Sequence, residues 1–150
     1  MTKVMVDTEI AAPVARVFGV FTDLEHSAER VSNIHTIEVL THGPFGRGTR
    51  WTETRQVLGQ LDSAEMEVTA YEQNRTYTIT HHKVGTKIDT KFTFEPSAAG
   101  TTVRIEFALD SHGLPPGMSA PLGWAIAGKV RDVIARDLAD LKDSMEKQPA

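Results

Sequence analysis

The stretch "IDTKFTFEPSAAGTTVRIEFAL", residues 88–109, decides the fold. Ile88, Thr90, Phe92 and Phe94 alternate with Asp89, Lys91 and Thr93; after "PSAAG", Val103, Ile105, Phe107 and Leu109 alternate with Thr102, Arg104, Glu106 and Ala108. Successive side chains of a strand point to opposite faces, so each run carries one apolar and one polar face. A short turn between two such runs makes an antiparallel hairpin whose apolar face has to be covered.

The same period of two extends upstream as far as Ile34. Ile37 and Val39 mark one strand, and the turn-rich "THGPFGRGT" (41–49) leads into "RWTETRQV" (50–57). Gly59-Gln60 turns that strand back into "SAEMEVTAY" (63–71), with Met66, Val68 and Ala70 on one side, and Asn74-Arg75 turns again into "TYTITHH" (76–82). Residues 3–10 form an earlier strand by the alternation of Val4, Val6, Thr8 and Ile10. Pro13 then suits the first turn of a helix carrying Val14, Val17, Phe18 and Phe21, and Thr22 with Glu25 has the pattern of a capping box for a second short helix.

Helical spacing supplies the cover. After the breaker-rich "SHGLPPG" (111–117), Ser119 can cap a helix in which Leu122, Ile126, Val130, Val133, Ile134, Leu138, Leu141 and Met145 recur three or four residues apart. Such a helix spans roughly 40 Å, enough to cross a whole sheet.

Composition excludes several function classes. The 150 residues predict one domain, 1–150, with a frayed tail at 146–150. Sixteen Lys and Arg against 20 Asp and Glu leave a net charge of -4, which disfavours a nucleic-acid platform. No cysteine is present, so disulfides and thiolate chemistry are out, and a reducing cytoplasm is the expected location. No signal peptide or membrane span is expected either.

The order of one strand, two short helices, a six-strand meander and a long last helix resembles the α+β helix-grip fold of the START/Bet v 1-like (SRPBCC) superfamily. Three segments resemble its polyketide cyclase/dehydrase-like branch: "IAAPVARVFGVFTDLE" (10–25), "GPFGRGTRW" (43–51) and "GTTVRIEF" (100–107). The aromatic-proline pair that many members carry before the second strand is absent from "ERVSNIHTI" (29–37). The resemblance implies a curved antiparallel sheet of about seven strands wrapped around the last helix, with an apolar cavity between them, and it leaves the chemistry open.

Within that frame "RWTETRQV" puts Glu53 and Arg55 in the inward phase of Trp51 and Val57. Tyr77 and His81 share the inward phase of the fifth strand and Thr90 that of the sixth, so Glu53, Arg55, Tyr77, His81 and Thr90 form an expected polar patch. Phe18, Trp51, Met66, Phe92, Phe107, Trp124 and Ile126 are the expected apolar lining, the composition of a small-molecule pocket. The alternative is an exposed Glu53–Arg55 pair at a splayed strand end, worth under about 1 kcal/mol.

His81 and His82, adjacent on a strand, point apart and cannot share an ion; no metal and no cofactor are expected. No nucleophile motif occurs. If the protein is an enzyme, His81, Glu53 and Tyr77 are the catalytic candidates, His81 titrating near neutrality beside Glu53. Gly113–Gly117 is the candidate gate. The leading expectation is binding of a small apolar or amphipathic ligand such as a lipid, polyketide or isoprenoid. The alternatives are a cofactor-independent cyclase or dehydratase and a protein-interaction module, with a homodimer left open.

Overall fold

The computed structural model describes residues 2–57, 59–83, 86–110 and 119–146, without the side chains of Thr2, Val57, Lys83 and residues 119–127. The elements are β1 (Thr2–Ile10), α1 (Val14–Phe21), α2 (Leu24–Arg30), β2 (Ile34–Val39), β3 (Arg50–Val57), β4 (Gln60–Glu72), β5 (Thr76–Lys83), β6 (Thr86–Ser97), β7 (Gly100–Asp110) and α3 (Ser119–Glu146). The strands form one seven-stranded sheet in the order β1-β7-β6-β5-β4-β3-β2, each neighbour antiparallel. Ile88 pairs with Leu109, Phe92 with Ile105 and Phe94 with Val103, so the two alternating runs share one face.

That face carries the core. Ile10, Phe18, Phe21, Trp51, Val68, Tyr77, Phe94, Val103 and Ile105 are buried with Ile134, Leu138 and Met145 of α3. Phe18 sets its ring edge-on to Tyr71, Tyr77 and Phe94 at 5.8, 5.8 and 5.1 Å, a preferred arrangement of aromatic rings. Polar fasteners hold the C-terminal half of α3. Lys142 Nζ donates to the Glu9 carbonyl at 2.8 Å, Ala11 N–H to Glu146 Oε2 at 3.0 Å, and Ser32 donates to Asp140 through backbone and hydroxyl at 3.0 and 2.8 Å.

Three local expectations change. The Thr22 hydroxyl donates backward to the Phe18 carbonyl at 2.9 Å, and Asp23, occupied by His26 and Arg30, stands at the start of α2 without capping it, so no capping box forms. The β4 strand starts at Gln60. It also carries a bulge between Val68, opposite Ile79, and Ala70, opposite Thr78. The extra residue reverses the inward phase: Ala70 is exposed and Tyr71 packs inward against Phe18 and Phe45. The candidate gate and the tail beyond Glu146 lie outside the described residues.

Candidate functional site

The site begins at the loop before β3. Gly46 N–H donates to the Thr49 hydroxyl at 3.0 Å, while Gly48 N–H and the Thr49 carbonyl both bond Val68, at 2.8 and 2.9 Å. These bonds pin the loop to β4, set Phe45 against Trp51 and Tyr77, and aim Trp51 into the core, where it is 2% exposed.

Two residues further, the acid and the base of β3 face inward as a pair. Arg55 Nε donates to Glu53 Oε2 at 2.7 Å, and Trp51 Nε1 donates to Glu53 Oε1 at 3.3 Å. The other end of the guanidinium forks onto Asp137 of α3, at 3.3 and 2.9 Å. Side-chain exposure is 11% for Glu53, 23% for Arg55 and 18% for Asp137, so this is a largely buried triad and not an exposed strand-end pair. Burial works against the Arg55 charge, but Glu53 and Asp137 outweigh it and hold the guanidinium more firmly protonated than usual. Burial raises the Asp137 carboxyl above its ordinary range, with Arg55 opposing.

Triad, sheet and α3 line a cavity of about 320 Å³, at the low end of the size range of small-molecule pockets. Of the sequence-derived candidates, Trp51, Glu53, Arg55, Met66, Tyr77, His81, Thr90, Phe92 and Phe107 line it. Phe18 packs in the core and is not among the described lining. The Trp124 and Ile126 side chains lie outside the described residues. Tyr77 stacks on Phe92 with ring centroids 4.5 Å apart, and burial, helped by the Glu53 charge, pushes its hydroxyl well above the usual phenol range.

His81 departs from expectation in its electrostatics. Glu53 sits on β3 and His81 on β5 with β4 between them, and among the described residues no hydrogen bond joins the two. Burial lowers the imidazole below its ordinary value of 6.5, and the Glu53 charge only partly offsets this. The ring is therefore neutral at pH 7.

Sequence reasoning missed Phe45, Ile34, Ile37, Ile79, Val133 and, above all, Asp137, all of which line the cavity. A signal for Asp137 was present. It stands three residues after Ile134 and four before Leu141, so an acid interrupts the apolar stripe of the last helix. Asp23, Glu25 and His26 form the one cluster with metal-ligand spacing among the described residues, and Asp23 is already bonded to His26 and Arg30. No described helix is long and apolar enough to cross a membrane.

Residues 1–146 match the family described as polyketide cyclase / dehydrase and lipid transport. Similar solved structures include TTHA0849 from Thermus thermophilus, with a TM-score of 0.77, 17% identity and 94% of each chain covered. A START superfamily protein from Mycobacterium smegmatis follows at 0.73 and 18%, covering 92% of this chain and 94% of its own. Ara h 8.0201 aligns at 0.67 and 16%, over 93% and 96%. No functionally curated protein matches the sequence. At these identities the structures speak for the fold, and it is the near-complete family match that assigns the chain. With the seven-stranded sheet and long last helix of those structures, the protein belongs to the family described as polyketide cyclase / dehydrase and lipid transport.

Proposed function

We propose that the protein binds one small amphipathic molecule, of lipid, polyketide or isoprenoid type, in the cavity between the concave sheet and α3, and does so in the cytoplasm. The observation that carries this reading is the composition of the cavity wall. Phe21, Leu24, Ile37, Met66, Phe92 and Phe107 are apolar, while Glu53, Arg55, Asp137, Tyr77 and His81 supply ionisable groups. An apolar wall with few polar groups orients a ligand by its head while burying its body. Native mass spectrometry of the gently purified protein tests it. The expected result is an adduct of small-molecule mass that Arg55→Ala or Trp51→Ala removes; bare protein that also gains no thermal stability from a lipid and polyketide panel overturns the reading.

A second reading, a cofactor-independent cyclase or dehydratase, is favoured by His81. A cavity-lining imidazole that burial holds neutral can accept a proton from a bound carbonyl compound, and Tyr77 can donate to its oxygen. Turnover should then vanish in His81→Ala while the fold persists. Because burial lowers the His81 pKa, the midpoint of the rate's fall on acidification should lie below 6.5. A rate that survives His81→Ala rules His81 out as the base. The interaction-module reading gains less support: among the described residues the exposed large apolar side chains, Met5, Val39, Leu40, Leu61 and Val133, are spread over both sheet edges, β4 and α3.

A further inference from the structure

We infer that the Glu53–Arg55–Asp137 triad in the cavity wall selects a head group that donates hydrogen bonds and carries no negative charge, a hydroxyl, phenol or amine, and discriminates against a free carboxylate. This rests on the ligand-binding reading above and names the ligand class of that same site.

Charge and donor count set the preference. Arg55 is the cation of the triad, and it is committed: its Nε–H goes to Glu53 and one N–H from each terminal nitrogen goes to Asp137. Of five guanidinium donors two remain, and two carboxylates stand against one positive charge. A ligand carboxylate placed there meets a like-charge excess in a site of low dielectric, where such repulsion is strong. Lys129 also lines the cavity, but it is exposed and lies eight residues before Asp137, roughly 12 Å along the helix axis. It cannot neutralise the triad. The two carboxylates keep lone pairs beyond those their present partners use, and these are acceptors for a donor head group. Tyr77 and the neutral His81 add uncharged hydrogen-bonding groups to the cavity lining.

The test uses three probes with one chain and three heads: 1-decanol, decylamine and sodium decanoate, each competing at pH 8 with the uncharged dye Nile red. Decanol and decylamine are expected to displace the dye at concentrations at least about tenfold lower than decanoate. A carboxylate is also the best hydrated of the three, so the decisive readout is the variant Asp137→Asn, which removes one negative charge at nearly constant shape. It should improve decanoate competition and narrow the gap to decanol to about threefold or less. Glu53→Gln serves as the second variant should Asp137→Asn fail to fold. Decanoate competing as well as decanol in the wild type, or a gap unchanged in both variants, overturns the inference and leaves the ligand-binding reading standing. Failure of the dye and of all three probes to bind removes that reading, and this inference with it.

Discussion

Replacing Arg55 by methionine is expected to destabilise the protein by about 3–5 kcal/mol, the cost of removing one partner from a buried ion pair. Methionine keeps the unbranched stem, so packing changes little and the charge is what is lost. Glu53 and Asp137 then face each other across the vacated position with three hydrogen bonds gone, those at 2.7, 3.3 and 2.9 Å. The deficit has a pH signature. Burial already raises Asp137, and Arg55 is what restrains it; without Arg55 the carboxyl rises further. A carboxyl whose folded pKa exceeds its unfolded value contributes stability that is complete below the unfolded pKa and lost as pH rises through the folded one. Urea unfolding of Arg55→Met should therefore show its largest gap to wild type at neutral pH and a shrinking gap on acidification. Replacing Glu53 and Asp137 with leucine in the same chain should recover most of the loss, because an apolar set of similar size carries no desolvation penalty. A single-variant cost below about 1 kcal/mol, the range of exposed pairs, would show that water reaches the triad freely.

The Gly100→Ala variant is expected to lose about 3–5 kcal/mol, the sum of a strained backbone and a steric overlap. Gly100 opens β7 at φ +142°, a conformation that side chains with a Cβ rarely adopt. A Cβ there would lie 2.5 Å from the Ile10 carbonyl oxygen, 2.7 Å from Ala12 N and 2.9 Å from Ala12 O. All three are backbone atoms of the corner joining β1 to α1, and they have little freedom to yield. The buried Thr101 hydroxyl donates to that same Ala12 carbonyl at 2.7 Å, and Ala12 N–H closes onto Ile10 O at 2.9 Å. The hairpin turn thus acts as a seat for α1. Its displacement would reach Phe18 and Phe21, which pack on Phe94 at 5.1 and 5.2 Å. Thermal unfolding should register a fall in Tm of about 10 °C. Gly43→Ala is the control: its φ is +97° but nothing lies within 4 Å of the added Cβ, so it should cost about 1–2 kcal/mol from backbone strain alone. Equal losses at the two positions would mean that the close approach at Gly100 relaxes at little cost.

Much of the cavity lining was legible because strand phase is a local property. Trp51, Glu53 and Arg55 share a phase by their spacing alone, and Tyr77 with His81, and Thr90 with Phe92, follow the same rule. Where the rule failed, a bulge had intervened. One extra residue near Thr69 turns Ala70 outward and Tyr71 inward, and no residue type there announces it. The Thr22 capping pattern failed for a different reason. Its hydroxyl found the Phe18 carbonyl one turn back, a local bond that competes with forward capping.

Taken alone, the sequence determined the elements: the periods of two and of three to four residues are written within each segment, and they leave the sheet an apolar face for the last helix to cover, while the grip of sheet on helix came from the family resemblance. Tertiary structure decided the character of the cavity. Asp137 and Arg55 are 82 residues apart, and only the crossing of α3 over β3 makes one guanidinium answer to two carboxylates. The neutral state of His81 arises the same way, from burial by several elements outweighing the charge of Glu53. Volume, charge excess and pKa are sums over side chains contributed by distant segments, and no local pattern contains such a sum.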